Sequence, residues 1–239
     1  MFDLSQITVA ILAGGLGTRL KPIIKDKQKV LAPVNNNYFL KYLLIQLNKA
    51  GFKNVVLCTG YLGDQVEEKF GNKNDNIEIV YSKESTQLGT AGALKFALPL
   101  LKSEIILVMN GDSYCDFDLK EFVEFHFNKK ANASLIVSYV SDTSRYGSVK
   151  LDSNDAIIGF DEKKQGSGPG WINGGIYILN RSLLFDIPED TTVSLEKEVF
   201  PNWIKKSFYG YKSDGGFIDI GTPESYKQAE QFFAKNNYE

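Results

Sequence analysis

A glycine-rich segment near the start of the chain has the residue types that bind phosphate. It spans residues 12–20, reads LAGGLGTRL and directly follows the first apolar run. Glycines let a backbone turn tightly and bring its N–H groups close to a phosphate, because no Cβ blocks the approach. Arg19 adds a planar donor fork that can hold two phosphate oxygens at once. The segment therefore predicts a polyphosphate site, with a triphosphate as the natural ligand.

Two common phosphate-binding loops differ from this segment. A P-loop requires a Lys followed by Ser or Thr, whereas this chain has Thr18, Arg19 and Leu20. The dinucleotide fingerprint ends in Gly or Ala, and Leu20 stands at that position. The sequence therefore disfavours both a P-loop NTPase and a dehydrogenase with a Rossmann domain.

The elements that must position this segment alternate along the first half of the chain. Apolar runs rich in β-branched residues predict buried parallel strands at 7–12, 55–59, 77–81 and 105–109. Apolar residues at helical spacing predict helices at 38–50, 62–70, 91–101 and 118–129. Gly51 is placed to end the first of these helices, and Asp118 to cap the last. Four such alternations predict an α/β fold with a Rossmann-like, doubly wound sheet.

The regular alternation of predicted strands and helices ends in the second half of the chain. Short strands are predicted at 135–140, 147–151, 156–160 and 171–179, and helices at 194–205 and 223–234. Residues 163–170 contain three glycines and a proline, which predicts a mobile loop. This half is therefore predicted to be α+β. We expect a single domain over residues 1–239, with a soft boundary between a half at 1–132 and a half at 133–239.

The composition excludes several classes of protein. A net charge of −2, from 27 Lys and Arg against 29 Asp and Glu, argues against a polybasic binder of nucleic acid or membranes. No apolar run approaches the roughly 18 residues of a membrane-spanning helix, and residues 1–6 lack the basic start of a secretory signal. Cys58 and Cys115 lie in apolar runs without metal-ligand spacing, so we expect buried free thiols, with a disulfide as the alternative. We therefore expect a cytoplasmic protein with neither a nucleic-acid nor a membrane partner.

Together with five further motifs, the glycine segment resembles the signature of the sugar-1-phosphate nucleotidyltransferases, or nucleoside diphosphate sugar pyrophosphorylases. The signature continues with Lys29 and Pro33, and the six motifs occur in order across residues 7–229. The other five are LGTAGA at 88–93, NGD at 110–112, FDEK at 160–163, NGGIY at 173–177 and FIDIGTP at 217–223. The resemblance implies a glycosyltransferase-A-like nucleotidyltransferase fold: a mostly parallel mixed sheet flanked by helices, with an α+β sugar-binding half.

The resemblance also implies a reaction. A sugar 1-phosphate attacks the α-phosphorus of a nucleoside triphosphate in line, and pyrophosphate leaves. Both reactants are anions, so such an enzyme supplies positioned cations and metal ions rather than a nucleophile. The residues expected to be catalytic are Arg19 for the β- and γ-phosphates, Lys29 for the α-phosphate, Lys163 for the sugar phosphate, and Asp112. Lys29 and Lys163 could alternatively be solvated surface lysines. The single histidine, His126, lies in an apolar helical segment and is expected to be structural.

Asp112 and Asp219 match the family's metal-binding carboxylates and are expected to share a Mg²⁺ ion. Both follow predicted strands, at the edge where open α/β sheets bind ligands. Magnesium prefers one or two carboxylates plus phosphate oxygens and water. Asp112 could instead cap a turn, whereas Asp219, between two isoleucines, would be costly to bury without a partner.

The resemblance assigns two further sets of residues. The nucleotide-binding set is Leu12, Ala13, Gly14, Gly15, Gly17, Thr18, Glu84, Gln87, Gly89 and Thr90. The substrate-binding set is Gly111, Tyr146, Gly147, Glu162, Lys163, Asn173 and Gly174. Some of these have structural alternatives: Glu162 could only pair with Lys163, and Asn173 could only satisfy the backbone of a turn. The glycines at 147 and 174 could likewise serve a turn or a bulge.

The chain departs from the family around Lys29. Gln28 and Val30 replace the prolines that usually flank this lysine, so we expect a less rigid loop. Gln87 likewise stands where a proline commonly precedes the LGTAGA motif.

The compact spacing is most similar to bacterial guanylyltransferases of this family that use GTP and D-glycero-α-D-manno-heptose 1-phosphate to make GDP-heptose for surface polysaccharides. Mannose 1-phosphate guanylyltransferases and N-acetylmuramate 1-phosphate uridylyltransferases carry the same motifs and remain alternatives. Two other classes are a non-catalytic sugar-nucleotide sensor and a glycosyltransferase of similar sheet architecture. A sensor is disfavoured by the presence of leaving-group and metal residues together, namely Arg19, Lys29, Asp112, Lys163 and Asp219. The glycine segment argues against a glycosyltransferase. The sequence gives no indication of the oligomeric state.

Overall fold

The computed structural model describes residues 3–161 and 168–235, which form fourteen strands and seven α-helices. The strands are β1 (Thr8–Ala13), β2 (Pro33–Val34), β3 (Asn37–Tyr38), β4 (Asn54–Thr59), β5 (Lys73–Asn74), β6 (Ile77–Lys83), β7 (Ile105–Asn110), β8 (Ser113–Cys115), β9 (Ala133–Val140), β10 (Ser148–Leu151), β11 (Ile157–Asp161), β12 (Gly170–Asn180), β13 (Phe208–Ser213) and β14 (Phe217–Asp219). The helices are α1 (Lys21–Ile24), α2 (Phe39–Ala50), α3 (Gly63–Phe70), α4 (Gly89–Ala97), α5 (Leu119–Asn128), α6 (Phe200–Trp203) and α7 (Pro223–Lys235). Short 3₁₀ helices cover Leu4–Gln6, Lys29–Leu31 and Arg181–Leu184, and a π-helical turn covers Leu195–Val199.

Eight of these strands form the central sheet, in the order β13-β9-β12-β7-β1-β4-β6-β5. Strands β7, β1, β4 and β6 are parallel, and β13 is parallel to β9. Strand β12 is antiparallel to both of its neighbours, and β5 is antiparallel to β6. This mixed, mostly parallel sheet confirms the predicted fold class. It takes strands from both sides of residue 133.

Helices pack on both faces of the sheet. On one face, α5 and α7 contribute Phe122 and Phe233 to an apolar cluster, and on the other α4 and α6 contribute Leu94 and Phe200 to a second cluster. Residues 9–11 of β1, near the centre of the sheet, are completely buried. A parallel strand covered on both faces has no solvent side, which explains why these strands are continuous apolar runs in the sequence.

Two helix boundaries follow from capping residues that the sequence predicts. Gly51 ends α2 with a left-handed φ of 99°, and its N–H donates to Leu47 O. Asp118 caps α5, because its side chain accepts a hydrogen bond from Lys120 N at 2.7 Å. The two cysteines, Cys58 and Cys115, are buried free thiols, as predicted. Within residues 3–161 and 168–235, no helix has the length and apolar character needed to span a bilayer.

The structure corrects several predicted boundaries. The helix predicted at 194–205 consists of the π-helical turn followed by the four-residue α6, because Pro201 lacks the N–H that a regular helix needs there. Gly147 lies in a turn before β10, with a φ of 78°, rather than in the strand. Strand β13 was not predicted, since its sequence, FYGYKS, contains a glycine and a lysine. Residues 163–167 of the predicted loop lie outside the described residues, and the last residue of that loop, Gly170, begins β12.

Candidate active site

A cleft of about 320 Å³ lies at the carboxyl ends of β1 and β7. Open α/β sheets bind their ligands at this edge. The residues that line the cleft include Leu12, Ala13, Gly14, Gly15, Gln28, Lys29, Glu84, Gln87, Gly89, Thr90, Asn110, Gly111 and Asp112. Most of the predicted nucleotide-binding set therefore meets Lys29 and Asp112 in one place. Gly17 and Thr18 are not among the lining residues and lie in the turn that leads to α1.

A larger groove, of about 770 Å³, lies at the opposite edge of the sheet. Thr8, Asn54 and Ile105 line it, and these residues begin β1, β4 and β7. Among the described residues, its lining contains none of the predicted site residues. The cleft at the carboxyl ends is therefore the candidate active site.

The glycine segment packs directly on two side chains of the site. A Cβ on Gly14 would lie 2.7 Å from Glu84 Oε1, a distance that real Cβ atoms do not tolerate. Gly17 has a left-handed φ of 58°, and its Cβ position lies 3.3 Å from Lys29 Cβ. A Cβ on Gly15, in contrast, would meet no atom within 4 Å. The backbone conformation at 17 therefore favours glycine, a Cβ at 14 would push the Glu84 carboxylate aside, and the middle of the segment stays open.

Gln28 holds the glycine segment in place through side-chain hydrogen bonds. Its side chain is 2% exposed; its Nε2 donates to Ala13 O, and its Oε1 accepts a 2.6 Å hydrogen bond from Val30 N. The Gln28 main-chain N–H donates to Gln65 Oε1 at 3.1 Å, which ties this turn to α3. Gln28 has a φ of −63°, the value at which proline is fixed. The side-chain hydrogen bonds thus supply a restraint at the position where the family usually has a proline.

Lys29 and Asp112 form the charged centre of the cleft. Lys29 Nζ lies 2.5 Å from Asp112 Oδ2; the lysine side chain is 10% exposed and the aspartate 44%. Lys29 leaves the 3₁₀ turn below the glycine segment, whereas Asp112 leaves the turn between β7 and β8. The lysine is therefore a positioned cation rather than a solvated surface residue.

Asp219 lies under a cluster of hydrogen-bond donors. Its Oδ1 accepts from Gly221 N at 2.7 Å and from Ser225 Oγ at 3.2 Å, and its Oδ2 accepts from Tyr146 OH at 2.5 Å. Arg145 Nη2 contacts both carboxylate oxygens, at 3.3 and 3.0 Å. Burial, followed by the hydrogen bond to Asp219, raises the pKa of the Tyr146 phenol. The apolar strand position of Asp219 is therefore compensated by partners, as its sequence context required.

The two aspartates are brought together by a short ribbon rather than by the central sheet. Strands β8 and β14 pair antiparallel with Asp219 opposite Ser113, and Ile220 N donates to Asp112 O at 2.9 Å. Asp219 thus ends a strand of this ribbon, and not a strand of the parallel sheet as the sequence suggested. Among the described residues, no group of three or more His, Cys, Asp or Glu side chains could hold a metal ion. Two aspartates on paired backbone segments beside the glycine segment nevertheless match the one or two carboxylates that Mg²⁺ takes from a protein, with its remaining ligands from phosphate and water.

Arg19 projects from the glycine segment toward the same ribbon. It is exposed, and its Nη2 lies 3.7 Å from the position that a Cβ on Gly221 would occupy. Gly221 follows Asp219 by two residues, so the Arg19 side chain reaches the side of the cleft where Asp219 lies. Its guanidinium is therefore placed near both the glycine segment and the second aspartate.

The base segment, LGTAGA at residues 88–93, which the family resemblance assigns to the nucleobase, is fixed by close backbone packing. Gly89 begins α4 with a left-handed φ of 71°, and a Cβ there would lie 2.5 Å from Val193 O. Thr90 Oγ1 donates to Glu196 Oε2 at 2.9 Å. Glu84 Oε2 accepts a weak 3.4 Å hydrogen bond from Leu88 N, and burial raises the pKa of the Glu84 carboxyl. A half-buried carboxylate thus faces the cleft beside the base segment.

The residues predicted for the sugar lie farther along the sheet. Asn173 Nδ2 donates to Tyr177 OH at 3.0 Å, and its Oδ1 accepts from Gly175 N at 2.7 Å. These bonds lie where the register between β12 and β9 shifts, so the asparagine satisfies the local backbone. A Cβ on Gly174 would lie 3.0 Å from Ile136 Cγ2. Sugar contacts of Asn173, Gly174 and Gly147 stay predictions, and Glu162 and Lys163 lie outside the described residues.

Three residues of the site were missed by the sequence analysis. Gln28 had a signal, since it replaces a family proline, but a glutamine gives no indication of which backbone groups it will bind. Arg145 precedes Tyr146 and reaches Asp219 across 74 positions of sequence. Glu196 accepts from Tyr177 OH at 3.3 Å and so joins the base segment to the β12 strand. Long-range partners of this kind carry no local signal.

Comparison with known proteins gives the same picture. A sequence profile of the nucleotidyl transferase family matches residues 8–236. The chain is 38% identical to the D-glycero-α-D-manno-heptose 1-phosphate guanylyltransferase of Aneurinibacillus thermoaerophilus, over 92% of the chain and 96% of that protein. It is 40% identical to the protein of the same name from Campylobacter jejuni, over 90% of the chain and 95% of that protein. The mannose-1-phosphate guanylyltransferase catalytic subunit beta of Drosophila melanogaster is 38% identical, but the match covers 60% of that longer protein.

Among solved structures, the chain is similar to HddC from Yersinia pseudotuberculosis complexed with GMP-PN. The TM-score is 0.84 at 33% sequence identity, and the match covers 95% of the chain and 99% of HddC. The family profile match at residues 8–236 includes both the glycine segment and the β8–β14 ribbon.

Proposed function

The chain belongs to the nucleotidyl transferase family, and on that premise we propose that it transfers the GMP group of GTP to D-glycero-α-D-manno-heptose 1-phosphate. The products are GDP-heptose and pyrophosphate. The observation that carries this proposal is the convergence of the glycine segment, Lys29, Asp112 and Glu84 on one cleft. In that set, the glycine segment would bind the triphosphate and Lys29 would supply a cation at the reacting phosphate. Asp112 would bind the metal, and Glu84 would face the base.

In the proposed mechanism, protein cations hold the reacting anions. The glycine segment cradles the triphosphate, and Arg19 holds the β- and γ-phosphates as they leave as pyrophosphate. Lys29 lies between the glycine segment and Asp112, where it neutralises charge that develops on the α-phosphate during in-line attack. Lys163 is proposed to hold the phosphate of the incoming sugar. No covalent enzyme intermediate is required.

Asp112 and Asp219 are proposed to bind a divalent metal, with Mg²⁺ as the ion. A bound Mg²⁺ supplies charge neutralisation for the triphosphate and its leaving group. The protein's own contribution is to hold the turn that carries Asp112 beside the end of β14 that carries Asp219, through the β8–β14 pairing and the Ile220 N–Asp112 O hydrogen bond. Because these are main-chain contacts, the separation of the two backbone positions does not depend on either side chain.

Glu84 supports guanine as the base. The Watson–Crick edge of guanine offers two neighbouring N–H donors, and a carboxylate is a two-oxygen acceptor that can bind both. Uracil and thymine place a single N–H between two carbonyl acceptors, so they would leave one carboxylate oxygen unpaired and facing a carbonyl. Glu84 lines the cleft beside Gln87 and Gly89, which are proposed to complete the base site.

The heptose assignment is supported by sequence identity. Two heptose 1-phosphate guanylyltransferases are 38% and 40% identical to the chain, over 92% and 90% of its length. Tyr146, Gly147, Glu162, Asn173, Gly174 and Gly111 are proposed to contribute to the sugar site. Mannose 1-phosphate is the second candidate, because a relative with 38% identity carries that name.

The test is pyrophosphate release with Mg²⁺ from GTP, UTP, dTTP, CTP and ATP, each paired with heptose, mannose, glucose and N-acetylmuramate 1-phosphates. Turnover with GTP and heptose 1-phosphate is the expected result. Turnover with GTP and mannose 1-phosphate would keep the guanine assignment and overturn the sugar. Silence across all pairs, with folded protein, would overturn the proposed catalysis and favour a sensor of sugar nucleotides.

A further inference from the structure

The Asp219 carboxylate has no free acceptor position. A carboxylate offers about four lone-pair sites, and those of Asp219 face Gly221 N, Ser225 Oγ, Tyr146 OH and Arg145 Nη2. The aspartate side chain is only 13% exposed beneath these donors. A metal ion can therefore bind this carboxylate only after one donor has left it.

Arg145 is the donor that can leave. Gly221 N belongs to the backbone that follows β14, and Ser225 lies in the first turn of α7, where it also bonds Thr222. Arg145 is 43% exposed, comes from the loop between β9 and β10, and contacts Asp219 only through the end of a long side chain. It is also the one positive charge among the four donors, so a divalent cation at Asp219 would repel it.

On this basis, and on the proposed role of Asp219 as a metal ligand, we propose that Arg145 is an exchangeable counter-ion that occupies Asp219 in place of the metal. Metal binding requires that the guanidinium leave the carboxylate. The Arg145–Asp219 pair therefore weakens metal binding to the protein without nucleotide. Arg145 acts on the metal site as a positioning residue and has no part in the bond that forms or the bond that breaks.

The test is the affinity of the protein for Mn²⁺ alone, measured from the electron paramagnetic resonance signal of free Mn²⁺. The variant Arg145→Gln is expected to bind Mn²⁺ about tenfold more tightly than the wild type, the change that roughly 1.4 kcal/mol of competing ion-pair energy produces. Arg145→Lys, which keeps the charge, is expected to lie between the two. Lys150→Gln removes one positive charge from the exposed Lys150–Asp161 pair in the same half of the chain and is expected to leave the affinity unchanged.

A second readout uses the 2.5 Å contact between Tyr146 and Asp219. Tyrosine sensitises the luminescence of Tb³⁺ at short range, so Tb³⁺ bound at Asp219 should emit on excitation of the Tyr146 ring. Arg145→Gln is expected to reach half of the full emission at a lower Tb³⁺ concentration than the wild type. In the double variant that combines Arg145→Gln with Asp219→Asn, the gain in metal affinity should be absent from both measurements.

An unchanged or weaker Mn²⁺ affinity in Arg145→Gln overturns the inference, as does the absence of detectable binding by either protein in millimolar Mn²⁺. A gain that survives in the double variant with Asp219→Asn also overturns it, because the effect would then be general electrostatics. Failure of the proposed function is recognised separately. In that case the wild type releases no pyrophosphate with any substrate pair, and a wrong metal assignment of Asp219 shows as full turnover of Asp219→Asn. Failure of the Arg145 inference alone leaves the wild type active and Asp219→Asn inactive.

Discussion

Lys29 Nζ lies 2.5 Å from Asp112 Oδ2, although the two residues are 83 positions apart in the sequence. The contact joins the turn below the glycine segment to the turn after β7. A lysine held in this way keeps its charge at a fixed point of the cleft, so that little rearrangement is needed when phosphate arrives. Its partner carboxylate is the one proposed to bind metal.

Replacing Asp112 by asparagine is expected to lower kcat by roughly a hundredfold or more, as the loss of a charge-stabilising group does at such sites. The amide keeps the shape of the side chain but loses the charge that binds a metal and holds Lys29. Arg19→Ala should have an effect of the same size on turnover. Steady-state pyrophosphate release measures both.

A matched control is available for this prediction. Asp64 pairs with Lys83 and is 91% exposed, so Asp64→Asn removes an aspartate charge from a surface pair. Its turnover should equal that of the wild type. Near-normal turnover of Asp112→Asn would refute the assignment of the cleft as the catalytic site.

Gln28→Ala is expected to raise the KM for GTP about tenfold and to lower the free energy of unfolding by about 1–3 kcal/mol. The variant leaves the Val30 N–H without its acceptor and releases Ala13 O from the Gln28 amide, and buried groups left unpaired cost about this much. The control is Gln65→Ala, which removes the bond to Gln28 N but keeps the Gln28 side-chain bonds. Equal KM values for the two variants would show that the side-chain hydrogen bonds of Gln28 do not shape the nucleotide site.

Glu84→Gln is expected to lower kcat/KM for GTP by about tenfold to a hundredfold, since a good bidentate contact is worth about 1–3 kcal/mol of discrimination. The amide offers one donor and one acceptor, which matches the edge of uracil better than that of guanine. The ratio of UTP to GTP turnover should therefore rise. An unchanged ratio would remove Glu84 from the base site.

His126 should make stability depend on pH. Burial lowers its pKa from 6.5 to about 4, and its Nδ1 lies 2.9 Å from Ser134 Oγ. Between these two values the unfolded chain binds a proton that the folded chain rejects, so stability falls as the pH falls from 6.5 to 4 and levels off below. The loss is on the order of 3 kcal/mol.

Urea denaturation of the wild type and of His126→Gln across this range measures the effect. The glutamine does not titrate and can still bond Ser134, so the variant should lose less stability on acidification than the wild type. Parallel pH profiles for the two proteins would show that His126 makes no contribution.

The fold was predictable wherever a segment's own pattern decides its structure. The buried strands read as apolar runs because both of their faces are covered, and Gly51 and Asp118 mark helix ends by their own chemistry. Strand β13 escaped prediction because it forms through pairing with β9, which supplies the burial that its own sequence does not indicate. The division of the helix predicted at 194–205 has a local cause, the missing N–H of Pro201, which the prediction overlooked.

The site was predictable to the extent that it is local. The glycine segment, Lys29 and Asp112 lie within motifs, and the structure brings them to one cleft. The β8–β14 ribbon was not predicted, because a pairing of three residues across the chain has no periodic signal. The contact between Arg145 and Asp219 was not predicted either, because the loop that carries Arg145 has no sequence pattern that fixes its orientation.

The pairing of β8 with β14 also has a consequence for the synthesis of the protein. Asp219 follows Asp112 by about one hundred residues, which at roughly 5–20 residues per second occupies the ribosome for about 5–20 s. During that interval a nascent chain already has the glycine segment and Lys29, but it lacks the second carboxylate and the strand that positions it. Under the proposed mechanism, a chain still on the ribosome, or one released early, could take up nucleotide but could not turn it over.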